Sequence, residues 1–170
     1  MAKTPSIEQS GNTIVADTIR QLLGRYWTSY AQHRMHIALL RTWGLEGLAQ
    51  GMDMRTRDEP QTINALSNRL LDLGGDPGFT LSSPNIGKTL RGVLENDMQL
   101  QAHAKPALNA AAEAAAAAHD ATSRVLFEGI LADEEEHFYW LETELKLLEL
   151  MGEPLYVANR LHPPHDAAAA

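Results

Sequence analysis

Glu134 and His137 stand three residues apart in the run Asp133-Glu134-Glu135-Glu136-His137, a carboxylate and an imidazole that a helix projects from one face. Together they can grip one metal ion through oxygen and nitrogen donors. Helical bundles that hold two metal ions use such a pair twice, on two different helices, and add a lone glutamate from each of two others. A second candidate segment reads Glu59-Pro60-Gln61-Thr62, a glutamate with no histidine three residues on. The fold of such a bundle is therefore expected, but its usual chemistry does not follow from the fold.

The elements that must position these residues are helical throughout. From Thr13 to about Arg41, Ile19, Leu22, Leu23, Tyr26, Tyr30, His33, Ile37 and Leu40 recur at helical spacing. Residues 1–12 read as a polar arm before this first helix. A second helical segment runs to Leu73, where Gly74-Gly75-Asp76-Pro77-Gly78 stops it. Within it, Asp58 is placed to cap a helix beginning at Glu59, with Pro60 in the first turn, which leaves residues 51–57 irregular. A structureless stretch over 79–88 is long enough for a crossover along the bundle rather than a tight hairpin. The third helix starts near Thr89, meets an interior Pro106 that should kink it, and runs through the alanine tract Ala110 to Ala118. The fourth spans Asp120 to Met151, with Phe127, Ile130, Glu134, His137, Leu141 and Leu148 on its inner stripe. Leu155 to Leu161 is read as a short fifth helix and residues 162–170 as a flexible tail. The all-α chain thus resolves into one antiparallel four-helix bundle over 13–161.

Composition removes several function classes. A net charge of −8 opposes binding to a nucleic-acid backbone, which needs clustered Lys and Arg. With no cysteine, disulfides, zinc ribbons and iron–sulfur clusters are excluded. No apolar run approaches membrane-spanning length, and the first residues lack the charged and apolar regions of a secretory signal, so a cytoplasmic protein is expected.

Over residues 22–157 the chain resembles the bacterioferritins, 24-subunit iron-storage cages of ferritin-like four-helix bundles with a short fifth helix. The resemblance rests on Trp43-Gly44-Leu45, Arg69-Leu70-Leu71, Asn85-Ile86-Gly87 and Ser123-Arg124. It is strongest in the Asp133 to His137 run, followed by Trp140-Leu141-Glu142-Thr143-Glu144-Leu145. It implies a ferroxidase site only half present. The two bridging carboxylates fall on Glu59 and Glu134, and one histidine falls on His137. The family's terminal glutamates are replaced by Tyr26 and Gln101, and its other histidine by Thr62. The methionine that would bind haem between two subunits falls on Pro60, and the bulky Trp27, Arg34 and Arg57 surround it, so haem is not expected.

His33 lies seven residues after Tyr26, two turns along the same face, where the family has a tyrosine near the site. His33, Glu59, Glu134 and His137 could hold one ion of iron or another divalent transition metal, with two nitrogen and two oxygen donors. The alternative is a metal-free polar cluster with Tyr26, Thr62 and Gln101 as hydrogen-bonding partners. His36 is expected to point outward, His103 and His119 to be solvated, and His162 and His165 to lie in the tail. The leading expectation is an iron-storage subunit that builds a homo-oligomer, from a dimer to a 24-subunit cage, or joins an active ferritin-like partner in a hetero-oligomer. Its own catalysis is degenerate. A metal-dependent oxidase and a metal-free structural bundle are the two alternatives.

Overall fold

The computed structural model describes residues 7–162, with side chains from residue 11 onward. The first half of the expected polar arm (1–6) and all of the expected tail (162–170) except His162 lie outside the described residues. The chain forms α1 (Ile7–Thr42), α2 (Glu46–Thr56), α3 (Glu59–Asp72), α4 (Leu90–Ala117), α5 (Ala121–Met151) and α6 (Glu153–Ala158). α2 and α3 together make the second rod of an antiparallel four-helix bundle, with α1, α4 and α5 as the others. α1 begins at Ile7, so residues 7–12 are its first turns rather than an arm. The fifth helix is also shifted, ending at Ala158 instead of Leu161. None of the helices among the described residues is long and apolar enough to cross a membrane.

The break in the second rod is narrower than the sequence suggests. α2 runs through Gly51 to Thr56, and only Arg57 and Asp58 separate it from α3. Gly51 is no helix breaker, because the indole of Trp140 packs where its Cβ would be, 3.0 Å from Cζ2. The interruption belongs to Pro60, whose ring nitrogen has no hydrogen to donate one turn back. Asp58 precedes α3 as expected but caps it with no side-chain hydrogen bond. α4 tolerates Pro106 in its interior, and α4 and α5 are capped by the side chains of Thr89 and Asp120. Arg69 of α3 donates to Asp120 Oδ1 and to Ser123 Oγ, both at 2.7 Å, tying the α4–α5 corner to the second rod.

Residues 73–89 cross the bundle, held along α1 by Arg20 and then by Thr28, Gln32 and His36, which stand four residues apart. Arg20 donates to the carbonyl of Asp76 (3.2 Å), the amide of Ser82 donates to Thr28 Oγ1 (3.2 Å) and that of Asn85 to Gln32 Oε1 (2.8 Å). The amide of Gly87 donates to His36 Nε2 at 2.9 Å. Gly24 fits the same ladder, because a Cβ there would stand 2.2 Å from the carbonyl oxygen of Thr80.

The apolar core is divided in two. One lobe joins Ile19, Leu23, Leu66, Leu70, Leu108 and Phe127. The other joins Leu40, Leu48, Met52, Leu94, Leu141 and Tyr156. Every rod contributes to both, and between the lobes every rod turns a polar residue inward.

Candidate functional site

The layer between the lobes contains His33 from α1, Glu59 from the start of α3, Asp97 and Gln101 from α4, and Glu134 and His137 from α5. Antiparallel packing places these mid-rod positions at one level. Pro60 sets the start of α3 so that Glu59, buried in its first turn, faces inward.

His33 is held between two carboxylates. Its Nδ1 lies 2.7 Å from Glu59 Oε1, and its Nε2 lies 3.7 Å from Asp97 Oδ1. Burial alone would lower its pKa, but the carboxylates of Glu59 and Asp97 outweigh burial and raise it to about 9. His33 is therefore an imidazolium at neutral pH. Asp97 is fully buried, a penalty that its histidine and amide partners outweigh, so its carboxyl is held below the usual range. Asp97 Oδ1 accepts from Gln32 Nε2 at 2.9 Å and from His36 Nδ1 at 2.8 Å. His36 can donate there because its Nε2 is already the acceptor for Gly87.

Each of Glu59, Glu134 and His137 is held by a neighbouring side chain of the layer. Glu59 is paired with His33. Glu134 Oε1 accepts from the hydroxyl of Tyr26 at 2.6 Å. His137 Nδ1 lies 3.0 Å from Gln101 Nε2, which can only donate, so this imidazole is neutral. Burial, and then the charge of His33, lowers the His137 pKa to about 3. The two rings are 5.2 Å apart, too close for both to be charged in a low-dielectric interior. Burial raises the Glu134 carboxyl and, with Glu134 beside it, pushes the Tyr26 phenol well above its ordinary range.

Of the expected site residues, the structure brings His33, Glu59, Glu134, His137, Tyr26 and Gln101 into one layer, with Thr62 at its edge. Glu59, Glu134, His137 and Thr62 line a cavity of about 20 Å³. His33 Nε2, Glu59 Oε2, Asp97 Oδ2, Gln101 Oε1 and His137 Nε2 are buried and have no hydrogen-bond partner. Even so, no group of three His, Asp or Glu among the described residues is arranged to hold a metal ion. The donor set does not fit a dinuclear centre: it has two carboxylates and one imidazole of the expected ligand types, each already engaged. At the positions where the resemblance implies a haem pocket, Pro60 offers no sulfur, Trp27 stacks on Phe79 at 6.4 Å, and Arg34 is bound to Asp53 and Thr56.

Two corrections follow. His36 does not point outward but is fully buried, because α1 faces the crossover as well as the bundle. Asp97 was missed, although it stands one turn before Gln101 on the same helix face. His103 and His119 are exposed, as expected.

A four-helix bundle with inward carboxylates and imidazoles at mid-height defines the ferritin-like class, and a ferritin-like domain model matches residues 16–151. The bacterioferritin of Mycobacterium leprae is 32% identical over 155 residues, covering 91% of this chain and 98% of the relative. The bacterial ferritin of Neisseria meningitidis serogroup A is 32% identical over 152 residues, covering 89% of this chain and 99% of the relative. The solved bacterioferritin of Mycobacterium tuberculosis superposes with a TM-score of 0.83 at 32% identity, over 86% of this chain and 93% of that one. The chain belongs to the bacterioferritin family.

Proposed function

We propose that this protein is an iron-storage subunit of bacterioferritin type that forms the wall of an oligomeric cage and does not itself oxidise iron. The observation that carries this reading is the pairing of every surviving ligand. His33 holds Glu59, Tyr26 holds Glu134 and Gln101 holds His137. His33 supplies internally the positive charge that a metal would otherwise bring to Glu59. Iron is then cargo for the cage interior, oxidised by a partner subunit or in solution, and no haem is carried. The stoichiometry of the cage, alone or with an active ferritin-like subunit, is part of the same proposal.

The test is Fe(II) oxidation under air by protein purified as its native oligomer. The wild type should form a particle of cage size and oxidise iron no faster than a protein-free control. Tyr26→Glu with His33→Tyr, Thr62→His and Gln101→Glu should restore a fast phase. Fast, stoichiometric oxidation by the wild type would overturn the reading.

A second reading is supported by the unpartnered Glu59 Oε2 beside the 20 Å³ cavity, a volume sufficient for one water-sized ion once His137 has moved its proton off Nε2. In it, Glu59, Glu134 and His137 bind one divalent metal ion, with His33 as the fourth ligand after it leaves Glu59. About one tightly held ion per subunit, lost in Glu134→Ala with His137→Ala, would favour it over an empty layer.

A further inference from the structure

A cavity of about 360 Å³ opens between α1, α4 and the crossover. Its walls are hydrocarbon, formed by Leu22 of α1 and by Leu100, Ala104 and Leu108 of α4. Leu22 and Leu108 are buried members of the first apolar lobe, so the cavity is cut into the core rather than laid on the surface. Its size stands at the small end of the range for small-molecule sites.

The polar lining is divided between two ends. At the deep end stand Tyr26 and Gln101, both buried. The Tyr26 hydroxyl donates to Glu134 and the Gln101 amide nitrogen to His137, so both donors are already used. An anion finds no free donor there. At the entrance stand Arg25 and His103, both exposed. Arg25 enters no ion pair among the described residues, and its guanidinium is a permanent charge shaped to meet a carboxylate. Hydrocarbon walls with a cation at the mouth complement an amphiphile that has one anionic end. Sugars and amines are poor occupants, because their polar groups would be buried against Leu22, Leu100 and Leu108 without partners.

We propose that this cavity binds a small aliphatic monocarboxylate, with its carboxylate on Arg25 at the entrance and its hydrocarbon chain between Leu22, Leu100 and Leu108. Each methylene drawn out of water along these walls strengthens binding by about fourfold. The site needs no metal and stands independently of the storage reading.

The experiment is calorimetric titration of the full chain in its native oligomeric state, without metal, using octanoate as the probe. Saturable binding of one molecule per subunit is expected. Hexanoate, two methylenes shorter, should bind about tenfold more weakly. 1-Octanol should lose only about threefold, because an exposed guanidinium contributes little. Octylammonium, with the same chain and the opposite charge, should bind more weakly than the alcohol. Ala104→Phe should fill the cavity and abolish binding. Arg25→Gln, an exposed substitution that keeps the fold, should weaken octanoate about threefold and leave octanol unchanged, which a merely structural role would not do. Absence of saturable octanoate binding by the wild type would overturn the proposal. So would octylammonium binding as tightly as octanoate, or octanoate binding that is unchanged in Arg25→Gln or survives Ala104→Phe.

Discussion

The two apolar lobes and the polar layer between them are built from the same four rods and are buried to the same degree, yet they follow opposite rules. In the lobes, side chains such as Leu66, Leu108, Phe127 and Leu141 need only shape and volume. In the layer each group is specified by its partner, and several buried nitrogen and oxygen atoms have none. Burial of apolar surface in the lobes holds the rods in place whether or not the layer is chemically complete. This difference explains how the bundle can persist with only two carboxylates and one imidazole of the ligand types that the resemblance implies. Stability is carried by the lobes, and the layer is free to change its chemistry as long as its charges balance.

The contrast can be broken most forcefully at Asp97. Asp97→Ala strips the imidazolium of one counter-ion and leaves Gln32 and His36 without their acceptor. It should lower the unfolding free energy by about 3–5 kcal/mol in a denaturant titration. A loss below about 1 kcal/mol would mean that the layer is not electrostatically balanced. Replacing the charged pair as a unit should have the opposite sign. His33→Leu with Glu59→Met is expected to be neutral or to stabilise by about 1–4 kcal/mol, making the layer behave like the lobes. A strongly destabilised double variant would show that the pair is part of the fold's framework.

The pH dependence sharpens the comparison at a smaller scale. Between pH 6.5 and about 9 the native state keeps a proton on His33 that the unfolded chain has released, so stability falls as pH rises. Between pH 6.5 and about 3 the unfolded chain takes up a proton that His137 refuses, so stability falls as pH drops. Unfolding midpoints should therefore peak near pH 6.5, with slopes of about 1 kcal/mol per pH unit on either side. Substituting His33 should flatten the alkaline side and, because its charge also helps to hold the His137 pKa down, reduce the acid-side slope to a smaller degree. The smallest effect lies outside both regions. His119 ends α4 with φ of 57°, a left-handed conformation that Gly44 and Gly74 provide at the ends of α1 and α3. His119→Gly should stabilise by about 0.5–1 kcal/mol, read as a raised thermal midpoint.

The rods were legible in the sequence because amphipathic spacing is a local signal. The stripes of α1 and α5 and the stop at Gly74 were found within a few residues. The irregular stretch expected over 51–57 is instead helical to Thr56, because Pro60 interrupts the rod only at Arg57 and Asp58. His36 was misread because a helix that serves two neighbours has two buried stripes, and the crossover's position on α1 is not encoded near His36. Glu134 and His137 were legible as a motif, and Glu59 only through the resemblance. Asp97 carried a signal in its spacing from Gln101, but an isolated aspartate among apolar residues reads by default as a solvated position. The pairing of each surviving ligand with its neighbour emerged only when all the rods were assembled.

The four-residue ladder on α1 also bears on local opening. Residues 79–88 form no helix or strand, a condition that normally leaves amides free to exchange with solvent deuterium. Here the amides of Ser82, Asn85 and Gly87 are bound by Thr28, Gln32 and His36. Their exchange lifetimes should therefore follow those of the rigid α1 rather than those of a loop, and the Gly87 amide is tied through His36 to Asp97. A segment that looks like a loose connection is, in the hierarchy of opening events, part of the first helix.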